Sequence, residues 1–230
     1  MGRYKSALQD YAKSADFWSI YVLHEQHEEL SFRKGVQEPI YSSNDKGALI
    51  TVIKNGGLGY ASTQDLRDSG LKHAFDKALA WAEHTSHYSL LKGLKNPYAA
   101  HQGHYAPLKE TPTHKISLDE KLELLKQADK ALMSHGSVVD TQALLWSIDS
   151  LSSYENSLGA DITQEVYRTV PSLSATAHHQ GVTQVRTLGG MRAYCKQGGF
   201  ESVLDLDLSA KALDIAKDAV DLVHAENCPT

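Results

Sequence analysis

Cysteine is nearly missing from this chain: Cys195 and Cys228 are the only two in 230 residues. Two thiols make no disulfide framework, so a reducing cytoplasm is the simplest home. Long apolar runs are missing too, and nothing approaches a membrane span. The opening MGRYKSALQDYAKSADFW has no apolar h-region, so no secretory signal is read. Ser6 after Gly2 fits only the loosest lipidation pattern. Positive charge is not in excess, and the net charge of -5 gives no basic footprint for nucleic acid. There is no G-x-S-x-G elbow, and no spacing picks out a Ser-His-Asp triad.

What is present is ordinary globular text, 41% apolar and 22% charged. Its length allows one large or two small domains. The pattern predicts an α+β protein of two domains, each an antiparallel sheet with flanking helices. A short helix is expected over about Tyr4 to Ser14. Phe17 to Val22, Leu30 to Phe32 and Ala48 to Ile53 read as strands of a meander of about four or five, with Gly35 and Gly47 as punctuation. Lys54-Asn55-Gly56-Gly57 reads as a tight hairpin turn, since Asn-Gly supplies positive φ. Leu71, Ala74, Phe75, Ala78, Leu79 and Ala82 make one helical stripe, with Asp68 or Ser69 as its cap.

Periodicity is lost from Leu90 to Thr113, where Gly93, Asn96-Pro97, Gly103, Ala106-Pro107 and Thr111-Pro112 mark a linker. The expected domains are therefore 1–92 and 117–230, joined by 93–116. Ser117-Leu118-Asp119-Glu120 is a capping box, followed by a face of Leu118, Leu122, Leu125 and Leu132 and ended by Gly136. Val138 to about Arg186 reads as long, half-exposed strands with a turn at Asn156 to Asp161. A last helix follows Ser209, lined by Ala212, Leu213, Ala216, Val220 and Val223.

Several histidines invite a metal reading. His24-Glu25-Gln26-His27-Glu28 is close to H-E-x-x-H, but its histidines are three apart in a strand, which sends them to opposite faces. His84 and His87 end a helix, where an imidazolium suits the dipole better than a tetrahedral site lacking further ligands. His178 and His179 are adjacent and diverge, and His101, His104 and His114 fall in the linker. Gly56-Gly57-Leu58-Gly59 lacks the third glycine of a dinucleotide loop, because Ser62 stands there, so it reads as a turn. Cys195 beside Lys196 has no histidine near it in sequence and reads as a buried or half-buried thiol. The residues alone therefore assign no catalytic, cofactor-binding or metal-binding position.

The stretch from Asp45 to Leu71, DKGALITVIKNGGLGYASTQDLRDSGL, closely resembles the first domain of the TldD/PmbA family, zinc peptidases once called modulators of DNA gyrase. The likeness extends over Glu28 to Val36, and over Arg186 to Gly190 with Cys195 to Glu201. It ends at Ala225 to Thr230, which resembles the approach to the family's third domain. The Gly-Gly-Leu-Gly-Tyr-Ala wording leans toward the TldD branch.

In that family, the resemblance implies, an H-E-x-x-x-H helix and a later cysteine in the third domain bind zinc. The motif glutamate is then the base for peptide hydrolysis. No H-E-x-x-x-H occurs here, and at His24-Glu25 the matching place, Glu29, is not histidine. No metal or catalytic residue is carried over. The expectation is a scaffold and substrate-cavity region, from a truncated gene or fragment, inert alone, with zinc belonging to the full-length protein. Its partners would be peptide or unfolded protein and a family member in a homo- or heterodimer, with neither nucleic acid nor membrane. The alternative is a complete, non-catalytic partner or regulator that pairs with a full-length relative.

Overall fold

The computed structural model describes residues 3–8, 11–88, 100–107, 111–190 and 192–226. Gly93, Asn96-Pro97, Cys228 and the end of the Ala225 to Thr230 stretch lie outside them. The fold is mixed α+β with a large, mainly antiparallel sheet. In chain order the elements are α1 (Arg3–Leu8), β1 (Phe17–Arg33), β2 (Val36–Gln37), β3 (Tyr41–Lys54), β4 (Gly57–Thr63), α2 (Asp68–Ser86) and β5 (Gln102–Tyr105). Then come α3 (Leu118–Leu132), β6 (Val138–Asn156), β7 (Asp161–His179), β8 (Val182–Thr187), β9 (Lys196–Gln197), α4 (Glu201–Leu204) and α5 (Leu208–Val223). Contacts divide the chain into two compact units. The first is Met1–Glu25, Asn44–Ala106 and Ser150–Glu165; the second is Gln26–Ser43, Pro107–Asp149 and Val166–Thr230.

The strand order of the sheet is β4-β3-β1-β6-β7-β5, with β5 parallel to β7, and the whole of β4 and β5 belongs to the first unit. Asn55 and Gly56 both have positive φ, 49° and 78°, so the Asn-Gly turn between β3 and β4 forms as its residues require. The register pairs Lys54 with Gly57 and Ala48 with Thr63. Period-2 alternation sends Trp18, Ile20, Val22, Ile50 and Val52 into one core with Leu71, Ala74, Phe75, Ala78 and Ala82 of α2.

Gly57 and Gly59 serve this packing rather than a phosphate. A Cβ on Gly57 would sit 1.9 Å from the Ala82 carbonyl oxygen, and one on Gly59 would sit 2.0 Å from that of Ala78. The strand has no side chains where the helix backbone presses on it, and Ala78, Ala82 and Ser86 are the small residues that match.

The second unit packs α3 and α5 with Leu30, Phe32, Ala143, Leu145, Leu173, Ala175 and Ala177. The capping box at Ser117 forms: its hydroxyl accepts from the Glu120 N–H (3.2 Å), and the Glu120 carboxylate accepts from the Ser117 N–H (3.1 Å). β7 pairs with β8 from His179–Val182 to Ser174–Thr187, and with β9 at Arg168–Gln197.

Buried charge threads this unit. Asp129 accepts from the Thr141 hydroxyl and the Gly35 N–H, both at 2.6 Å. It thereby holds the Lys34-Gly35 turn, where φ is 51° and 78°. Lys121 is buried and paired with Glu28.

Several expected details change. Phe17 to Val22 and Leu30 to Phe32 belong to one 17-residue strand, whose backbone runs on through half-buried polar residues where the apolar alternation lapses. Gly47 lies inside β3 rather than at its end. The α2 N-cap is Arg67, without a side-chain cap, which places Asp68 in the first turn. Leu118 and Leu213 are exposed, while Ala128 and Ile215 take the buried positions. A short strand, β5, forms within the expected linker, and α4 was not legible in its four residues.

Candidate functional site

In the first unit the strand face away from the α2 core carries Tyr21, Leu49, Leu58 and Tyr60, all exposed. A groove of about 630 Å³ runs over this side, lined by Tyr21, Leu23, Glu25, Lys46, Leu49 and Thr63 among others. β4 stands at the end of the strand order and pairs only with β3 among the described residues. Its sequence, GLGYAST, has no charge and no proline. Sheet edges are ordinarily blunted by such residues, so β4 is an edge left open to another strand.

In the second unit, one polar cluster joins Ser31, Glu38, Gln142, Arg33 and Asp140. The Ser31 hydroxyl donates to Glu38, and the Gln142 amide donates to it at 3.3 Å. These bonds hold the Glu38 carboxyl below its usual range. Arg33 forks onto Asp140 at 3.0 and 2.6 Å, which lowers the Asp140 carboxyl. A second cluster centres on buried Asp149, which accepts from the Thr113 hydroxyl (3.1 Å) and the His114 N–H (3.3 Å) and lies 2.6 Å from His114 Nδ1. Sequence reasoning placed His114 in a solvated linker and missed this partner, 35 residues away. A third group stacks His27 on Trp146 at 6.2 Å and sets the Arg192 guanidinium 4.9 Å over the same indole.

The other singled-out histidines are dispersed. His24 Nε2 lies 2.6 Å from Asn44 Oδ1. It points away from the face of His27, as a three-residue spacing in one strand requires. His84 sits between the rings of Trp81 and Tyr88, at 6.1 and 6.2 Å, and His87 caps α2 at its C-terminus. His101 and His104 are exposed. His178 bonds Thr183 at 2.9 Å, whereas His179 meets His224 at 4.3 Å between ring centroids. Cys195 is an exposed free thiol, not a buried one, because it lies on the loop after Gly190.

Zinc is the metal that the family likeness implies. Among the described residues no three of histidine, cysteine, aspartate and glutamate converge as a metal site. His24 Nε2 faces the Asn44 amide oxygen, and the His27 ring lies against Trp146. These residues do not fit a zinc centre, and no step of hydrolysis is derived from them.

Comparison with known proteins decides the family. The PmbA/TldA metallopeptidase domain 1 matches residues 18–82. The PmbA/TldA metallopeptidase central domain matches residues 111–225. The chain belongs to the PmbA/TldD family.

Solved structures share the fold. A candidate modulator of DNA gyrase from Thermotoga maritima aligns with TM-score 0.73 at 18% identity, covering 98% of this chain and 49% of that one. TldE from Thermococcus kodakarensis aligns with TM-score 0.68 at 18% identity, covering 97% and 47%. A candidate gyrase modulator from Bacteroides thetaiotaomicron gives 0.63 at 15% identity, covering 97% and 50%. The chain thus spans about half the length of these structures. No curated protein matches. No helix among the described residues is long and apolar enough to cross a membrane.

Proposed function

We propose that this chain is the scaffold and substrate-cavity region of a PmbA/TldD-type zinc peptidase. It holds peptides in extended form, while the zinc ligands lie outside the described residues. The observation that carries this reading is the open β4 edge beside its groove. An extended peptide adds to such an edge through main-chain hydrogen bonds, which suits degradation or maturation of varied sequences. The family name, metallopeptidase, supplies the substrate class. Residues 1–92 and 117–230 are taken as its two domains with 93–116 between them, and the cytoplasm as its compartment.

The test is a peptidase assay on the isolated chain with added zinc. No turnover is expected; turnover abolished by a chelator would overturn the scaffold reading.

The same open edge supports a second reading, in which β4 pairs with another family member and the chain acts as a non-catalytic partner or regulator. Size-exclusion with a full-length relative, combined with amide exchange at β4, tests this second reading. A stable complex whose formation slows β4 amide exchange favours the partner, and independent elution rejects it.

A further inference from the structure

Arg192 in the second unit is exposed, and among the described residues its guanidinium makes no hydrogen bond and no ion pair. It is nonetheless held in place, 4.9 Å over the indole of Trp146. The indole N–H of Trp146 likewise has no partner among the described residues, and the ring is flanked by His27 at 6.2 Å.

The loop that carries Arg192 is built. Its start is fixed by the Gly189 N–H donating to the Thr187 carbonyl (2.8 Å) and the Gly190 N–H donating to the Thr187 hydroxyl (3.1 Å). Its end is fixed by β9, which pairs with β7 at Arg168 and Thr169. Between these, the Cys195 N–H donates to the Arg192 carbonyl at 3.0 Å. Arg192 itself has φ 56°, a left-handed conformation that a long side chain disfavours. Such conformations persist where surrounding structure imposes them, and they gather at ligand clamps.

A guanidinium laid on an aromatic face keeps its forked N–H donors turned outward at its edge. That fork matches a carboxylate bidentately, and the indole shields one side of the pair from water. We propose that Arg192 and Trp146 form a carboxylate-recognition subsite for peptides, taking either a C-terminal carboxylate or an acidic side chain. This rests on the peptide-binding reading above. The loop joins two of the stretches that carry the family likeness, Arg186 to Gly190 and Cys195 to Glu201.

The experiment is NMR titration of the full chain, following the Trp146 indole N–H and the β4 amides. The probes are three N-acetylated alanine-rich heptapeptides: a free acid, its C-terminal amide, and the amide with one internal glutamate. The free acid is expected to shift Trp146 and to bind at least about 10-fold tighter there than the plain amide. Arg192→Gln should remove that preference, and Arg192→Lys, which keeps the charge but not the fork, should restore only part of it.

If the glutamate amide also shifts Trp146, the side-chain source is established; if not, the terminal carboxylate is. Equal effects of acid and plain amide at Trp146, unchanged in Arg192→Gln, overturn the subsite. When the β4 amides still respond in that case, the peptide reading survives. No response at either place overturns both.

Discussion

The two units solve the same packing problem with different chemistry. The first brings α2 down onto bare backbone at Gly57 and Gly59, so its fit is steric and has no slack. The second seals its core around buried charge, with Asp129 holding a turn and a hydroxyl, and Lys121 paired with Glu28. A steric fit fails by overpacking. A polar fit fails when one partner is removed and the other is left buried. The first unit should therefore be intolerant of added atoms, and the second of deleted ones.

The largest expected effect is at Gly59. Gly59→Ala drives a Cβ against the Ala78 carbonyl and the Ala82 nitrogen, both rigid helix backbone. It should destabilise by about 3 kcal/mol, read as a fall in the urea midpoint. Gly103→Ala in β5 meets nothing within 4 Å and serves as the matched control, with little change. Equal effects at the two glycines would break the steric account.

Next is Asp129→Ala, which strands the Gly35 N–H and the Thr141 hydroxyl and should cost about 2 kcal/mol. Asp129→Asn keeps an acceptor and should cost less. If Asn and Ala are equally damaging, the carboxylate's charge rather than its bonds is what matters. Ser117→Ala, which opens the capping box of α3, should cost about 1 kcal/mol in the same assay.

The smallest effect is with pH. Glu38, Asp140, Glu120 and Asp65 all have folded-state pKa values lowered by hydrogen-bond donors, Asp65 to about 2 by Arg67. A lowered carboxyl stabilises the fold above its ordinary pKa, and that contribution fades as pH falls toward the folded value. Urea midpoints should therefore hold steady above the ordinary carboxyl range and decline between about 4 and 2. These carboxylates are largely solvated, so the decline should be shallow. A rise in stability across that window would contradict the sign.

Much of the fold was legible because its signals are local. Asn55-Gly56 dictated the hairpin, Ser117 with Glu120 the start of α3, and Asn156 the turn before β7, where its side chain accepts from the Leu158 and Ala160 N–H groups. What was missed depends on distant partners. The glycines of β4 have their reason in Ala78 and Ala82, about twenty residues on. His114 has its reason in Asp149, and Gly199 in Thr111, whose carbonyl oxygen a Cβ there would meet at 2.2 Å. The stack of Arg192 on Trp146 joins segments that share no periodicity, so no pattern in the chain announces it. Strand length was misjudged because polar residues 24–29 interrupt the apolar alternation without interrupting the strand.

Hydrogen exchange at β4 tests the central claim most directly. With a long extended peptide present, the amides of Gly57–Thr63 that are not bonded to β3 should exchange more slowly, while those of α3 stay unchanged. Unaltered exchange at β4 under saturating peptide, or cleavage of that peptide by this chain with zinc, would contradict the account.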